Sequence, residues 1–94
     1  MKILILGAGQ VGASVAEVLA SEANDITIID QDRASLAALA DRLDVRTVAG
    51  NAAYPSVLRE AGIEDTALLV AVTQSDQTNL VACKIARSLF NVPT

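Results

Sequence analysis

Four short strand-like segments, residues 3–6, 26–29, 45–48 and 67–72, are each followed by a stretch that reads as helix. The first two, Ile-Leu-Ile-Leu and Ile-Thr-Ile-Ile, lack the alternation of a half-exposed strand, so their sheet must be covered on both faces. Val11, Val15, Val18 and Leu19 form the apolar stripe of the first helix, and Leu36, Leu39, Ala40 and Leu43 that of the second. Asp32 is placed to cap the second helix and Ser75 the last, which runs to about residue 90. Pro55 sits at the first position of the third helix and Gly62 at its stop, with Leu58 and Ile63 where side chains touch across a Schellman turn. Strand then helix, four times over, predicts an α/β fold with a parallel sheet, right-handed crossovers and helices on both faces.

Between the first strand and first helix lies Gly7-Ala8-Gly9-Gln10-Val11-Gly12, the Gly-x-Gly-x-x-Gly pattern. Alone the pattern is weak, and a plain strand-to-helix turn is the competing reading. Between a buried strand and a helix it has the context that dinucleotide binding requires. Gly7 permits the tight turn, Gly9 lets the backbone approach a pyrophosphate, and Gly12 lets the helix lie close to the strand. Free N–H groups at the helix start, aided by the helix dipole, face the phosphates. Asp30 ends the second strand, 18 positions after Gly12, where a carboxylate accepts hydrogen bonds from both ribose hydroxyls. It also repels a 2′-phosphate, favouring NAD over NADP. An ordinary turn aspartate is the alternative, and Arg33, which could pair with a 2′-phosphate, is more simply a solvated helix residue.

These features define a Rossmann-type sheet of order 3-2-1-4, whose ligand lies beyond the carboxyl ends of the first and fourth strands. Thr73 and Gln74 should then border Gly7, while Gly50 and Asn51 fall on the adenine side. Asn51 and Gln74 read equally well as ordinary surface-loop polar residues.

At 94 residues the chain is one domain, with 52% hydrophobic but only 2% aromatic residues, suited to thin, closely packed layers. A net charge of -4, with the basic residues scattered, argues against a nucleic-acid partner. The longest apolar run, residues 67–72, is far short of the ~20 residues that span a bilayer, so direct membrane insertion is not expected. The apolar run from Ile3 is four residues long and stops at the glycine loop, so no signal peptide is expected, and the single Cys83 fits a reducing, cytoplasmic setting.

Chemistry has little to work with. The chain has no His, one Tyr and one Cys. Tyr54 has no lysine at helical spacing, and Cys83 lies in an apolar helix as a core residue. No carboxylate pair or His/Cys cluster points to a metal. Catalytic residues are expected to be none, and the chain reads as a binding module.

The opening Met-Lys-Ile-Leu-Ile-Leu-Gly-Ala-Gly-Gln-Val-Gly resembles the N-terminal nucleotide-binding domain of the TrkA-type peripheral subunit of Trk potassium uptake, also called the KTN or RCK domain. Two further segments carry the resemblance: Val57-Leu58-Arg59-Glu60-Ala61-Gly62-Ile63-Glu64-Asp65 and Val72-Thr73-Gln74-Ser75-Asp76-Gln77-Thr78-Asn79-Leu80. It covers essentially the whole chain. It implies NAD(H), and in some relatives ATP or ADP, bound at Gly7, Ala8, Gly9, Gln10, Val11, Asp30, Thr73 and Gln74. It further implies a non-enzymatic, ligand-responsive regulator at the inner face of the membrane, partnered with a potassium transporter or channel subunit and assembled as a homo-oligomer. Asn51 stands where relatives often have Asp, and Gln77 where they often have Glu.

The leading expectation is therefore an NAD(H)-binding regulatory module of potassium transport. The alternatives are the cofactor-binding fragment of an NAD-dependent dehydrogenase and a nucleotide-binding assembly module without a transport link. The chain stops at Pro93-Thr94, about where a fifth strand should begin, and reads as a piece of a longer domain. The last helix spreads Val81, Ala82, Cys83, Ile85, Ala86, Leu89 and Phe90 over an arc of about 200°, wider than the roughly 100° that covers a sheet. This spare arc, with an apolar edge on the fourth strand, predicts self-association; the equal alternative is that further C-terminal strands and helices cover both.

Overall fold

Side chains alternate across a strand, and here the alternation sorts the apolar residues into two separate cores. The computed structural model describes all 94 residues. Its elements are β1 (Lys2–Leu6), α1 (Gln10–Ala20), β2 (Asp25–Asp30), α2 (Arg33–Arg42), β3 (Arg46–Ala49), α3 (Pro55–Glu60), a 3-10 turn (Ile63–Asp65), β4 (Leu68–Ala71) and α4 (Asp76–Leu89). All pairings are parallel, in the order β3-β2-β1-β4. Ile3, Ile5, Ile26 and Ile28 face one side, under Ala16 of α1 and Leu36 and Leu39 of α2. Leu4, Leu6, Ile29, Val48 and Leu69 face the other, against Leu58 of α3 and Ala82 and Ala86 of α4. Burying each Leu or Ile side chain contributes roughly 1.5–3 kcal/mol over leaving it exposed.

The local signals take their expected places. Asp32 caps α2 by accepting the Ala34 N–H, Ser75 caps α4 by accepting the Thr78 N–H, and Pro55 begins α3. Gly62 stops α3 with a left-handed φ of 88°, and Leu58 and Ile63 are both fully buried in one core.

Three expectations need correction. The buried face of α1 is built on Gly12 and Ala16, with Ala13, Val15, Leu19 and Ala20 partly covered, whereas Val11 and Val18 stay about 60% exposed. Small residues let the helix lie closer to the sheet than a valine stripe could, which turns Val11 and Val18 outward. On α4 the buried centre is Ala82 and Ala86; Leu80, Val81 and Leu89 are exposed, while Phe90 packs on the core beneath the Arg59 guanidinium, 5.5 Å from its ring centre. Cys83 is half-buried against the same core. The edge of β4 is not bare: the Leu69 N–H donates to the Pro93 carbonyl at 2.9 Å, and the buried Val92 donates to Ala86.

Candidate functional site

All four strands run the same way, so their carboxyl ends and the loops that follow gather at one end of the sheet. Ladder bonds continue into these loops. The Gly7 N–H donates to Ile29, the Gly50 N–H to the Asp30 carbonyl, and the Val72 N–H to Leu6.

The three glycines of the first loop are present for different reasons. Gly7 has φ 114°, a conformation that costs any other residue, and a Cβ there would come within 2.8 Å of the Val72 carbonyl oxygen. A Cβ on Gly12 would overlap the Gly7 carbonyl. Gly9 has ordinary extended angles, and a Cβ there would meet nothing within 4 Å. Gly7 thus lets the loop lie against the end of β4, Gly12 lets α1 lie against the loop, and Gly9 keeps open the space above the start of α1.

Three helix N-termini converge on that space, and they differ. The starts of α2 and α4 are capped by their own side chains, Asp32 and Ser75; α1, whose cap is Gly9, has no side-chain cap. The first-turn N–H groups of α1 are therefore the ones left for an anion.

Asp30 ties the site together. Its Oδ2 accepts the Ala8 N–H and its Oδ1 the Asp32 N–H, both at 2.7 Å. Each oxygen keeps a further lone pair. Asp32 bonds the Ser35 hydroxyl and the Ala34 N–H, and these hold its carboxyl below the ordinary aspartate value. Two carboxylates consequently line one wall, and no Lys or Arg lines the cleft. On the opposite wall the hydroxyl of Thr73 turns to Asn79 (2.7 Å) rather than outward.

Together these walls enclose a cleft of about 590 Å³. Of the sequence-expected residues, it is lined by Gly7, Gly9, Gln10, Val11, Asp30, Thr73 and Gln74. Ala8 is buried and contributes its N–H to Asp30, and Gly12 lies buried beneath the loop. Asn51 is not brought to the cleft: its side-chain oxygen accepts the Ala53 N–H at 2.8 Å, and its neighbours Gly50 and Ala52 line the wall instead. Sequence reasoning missed Gln31, Asp32, Ser35, Ser75 and Thr78 as lining residues. The signal was available, because every helix that follows a parallel strand presents its first turn to this end of the sheet. A larger groove of about 800 Å³ runs along α4 past Leu80, Lys84 and Arg87, but it gathers neither a helix start nor the strand ends.

A parallel 3-2-1-4 sheet, a glycine loop after its central strand and an acid closing the next strand define a Rossmann-type domain. More narrowly, the chain belongs to the TrkA-N domain family, whose sequence profile matches residues 3–94. It is 57% identical over 94 residues to the Trk system potassium uptake protein TrkA of Halomonas elongata, covering 100% of this chain and 21% of that protein. The TrkA of Vibrio alginolyticus is 55% identical over 93 residues, covering 99% of this chain and 20% of that protein. The chain thus spans about a fifth of the length of these curated relatives. Among solved structures, the TrkA-N domain of the Escherichia coli inner membrane protein ybaL superposes with TM-score 0.84 at 26% identity, over 93% of this chain and 64% of that one. The AMP-bound Kef CTD of Shewanella denitrificans superposes with TM-score 0.85 at 21% identity, over 99% of this chain and 56% of that one, a likeness of fold. No helix is long and apolar enough to cross a membrane.

Proposed function

We propose that this domain binds NAD(H) as the regulatory module of a potassium-uptake system and, by its occupancy, controls a membrane-embedded transporter or channel subunit. The observation that carries the reading is the uncapped start of α1 beneath the open space at Gly9, with Asp30 on the adjoining wall. Phosphates would sit on the free N–H groups of α1, and the spare lone pairs of Asp30 would take the ribose hydroxyls. Gly7, Ala8, Gly9, Gln10, Val11, Gly12, Asp30, Thr73 and Gln74 form the proposed site, with Asn51 acting only through its loop. ATP or ADP would use the same loop and acid. The transport assignment follows the names of the TrkA relatives. Control of the partner, placement at the inner face of the membrane and assembly as a homo-oligomer belong to the same reading. A calorimetric titration with NADH, NAD, NADPH, ATP and ADP tests it, with NADH expected to bind well ahead of NADPH. Equal or tighter binding of NADPH removes the NAD assignment, and a preference for ATP removes the dinucleotide while sparing the loop.

The cleft walls carry no His, Lys or Arg, and their two carboxylates are already held by backbone N–H groups, so in this reading bound NADH is expected not to be turned over. With a panel of hydroxy and keto acids the nicotinamide absorbance should stay constant. Steady protein-dependent oxidation would favour the dehydrogenase reading instead.

A further inference from the structure

We propose that Asn79 is a positioning residue for the cleft, clasping Thr73 so that the loop between β4 and α4 keeps the shape that receives the ligand. The inference rests on the nucleotide-binding reading above. Beyond the Val72 N–H, the last ladder bond of this segment, Thr73 and Gln74 make no backbone–backbone hydrogen bond. Side chains take the place of that ladder: the Ser75 N–H donates to the Thr73 hydroxyl oxygen at 3.2 Å, and Asn79 holds Thr73 itself. The Thr73 N–H donates to Asn79 Oδ1 at 3.0 Å, the Thr73 hydroxyl lies 2.7 Å from the same oxygen, and Asn79 Nδ2 donates to the Thr73 carbonyl at 3.2 Å. The orientation of the amide follows from the chemistry. A backbone N–H can only donate and a backbone carbonyl can only accept, so oxygen must face the first and nitrogen the second.

The clasp bears directly on the glycine loop. The space where a Gly7 Cβ would stand is closed by the Val72 carbonyl at 2.8 Å and the Thr73 nitrogen at 3.0 Å. Gly7 in turn is packed against Gly12 at the foot of α1, so a shift of Thr73 is felt where phosphates are proposed to bind. Asn is the side chain that suits all three bonds. An Asp at this position would keep both acceptor bonds, lose the donor to the Thr73 carbonyl, and set a negative charge beside an anionic ligand.

The test compares Asn79→Ala and Asn79→Asp with two reference variants of α4. Gln77→Ala alters an exposed residue outside the cleft, and Ala86→Gly loosens the buried face two turns away. NADH binding is measured by calorimetry well below each melting temperature, with amide NMR spectra of the same samples. Asn79→Ala should weaken NADH about tenfold, the equivalent of about 1.4 kcal/mol, and shift the Gly7, Thr73 and Gln74 amides. Ala86→Gly should lower the melting temperature yet bind NADH as tightly as the unmutated protein, as should Gln77→Ala. A folded Asn79→Ala protein that binds NADH within twofold of the original overturns the proposal. If Asn79→Ala does not fold, Asn79→Asp decides: unchanged affinity overturns the proposal, and weakening that persists at high salt supports it. Failure of the unmutated protein to bind any nucleotide removes the site reading and this inference with it, whereas loss of the inference alone leaves the site intact.

Discussion

The Asp30 carboxylate accepts the Ala8 amide proton across 2.7 Å, bonding the acid that closes β2 to the glycine loop that follows β1. With its second oxygen on the Asp32 N–H, the same group also fixes the start of α2. Ribose hydroxyls can add to this arrangement without displacing it, since each carboxylate oxygen has a lone pair to spare.

Replacing Asp30 with Ala should therefore act twice. NADH affinity should fall by roughly 1.5–3 kcal/mol, the range for hydrogen bonds to a charged group, and the Ala8 and Asp32 amides should lose hydrogen-exchange protection. Calorimetry and exchange NMR read the two effects separately. Unchanged affinity would place the ribose elsewhere.

Gly12 and Gly9 should respond in opposite ways to a side chain. Gly12→Ala pushes a methyl group into the Gly7 backbone carbonyl, which cannot step aside. A loss of about 3 kcal/mol or more is expected in chemical denaturation, at the upper end for overpacking. Gly9→Ser meets open space and offers α1 the hydroxyl cap that Ser75 gives α4. The ligand-free protein should gain roughly 0.5 kcal/mol, while nucleotide binding drops by an order of magnitude or more. A Gly9→Ser variant that binds as well as the original would show that the ligand does not use the start of α1.

Asp32 sets an acid limit on the start of α2. The Ser35 hydroxyl and the Ala34 N–H lower its pKa in the folded state, so its contribution is complete above the unfolded-state value of about 3.9. It disappears as pH falls through the lowered folded-state value. Melting curves of the original and Asp32→Asn proteins should therefore converge as the solution is acidified below about pH 3.9. A gap that stays constant down to about pH 2, well below that value, would contradict this cause.

Self-association, if it uses α4, should depend on Leu80 and Leu89, which are 73% and 64% exposed. Phe90 is a poor probe, because it packs under Arg59 and its loss would damage the fold. Changing Leu80 and Leu89 together to Glu should shift light-scattering mass toward monomer with helix content unchanged. A monomeric original protein would remove the association.

Legibility from sequence followed the range of the interactions. The glycine loop and the caps at Asp32, Pro55 and Ser75 rest on residues within a few positions of one another, and the chain spells them out. The strand order rests on distant pairings such as Ile3 with Leu68, and was legible only through the strand–helix repeat. The face of α1 depends on how near the helix comes to the sheet, which Gly12 and Ala16 settle and Val11 and Val18 do not. Asn51 sits at the expected end of β3, but its side chain turns back to Ala53, a local bond that competes with any ligand. The Thr73–Asn79 clasp spans six positions across a loop and a helix start, and no simple periodicity marks it.

The sheet keeps its two cores apart: α1 and α2 rest on one side, α3 and α4 on the other. Each half-shell has its own aliphatic floor, and the parallel strands lie between them. The seam where the shells come within reach of each other is the rim of the sheet, where Gly7 meets Thr73 and Asp30 meets Gly50. A molecule lodged in that seam would touch both half-shells at once, at the starts of α1 and α2 on one side and of α4 on the other.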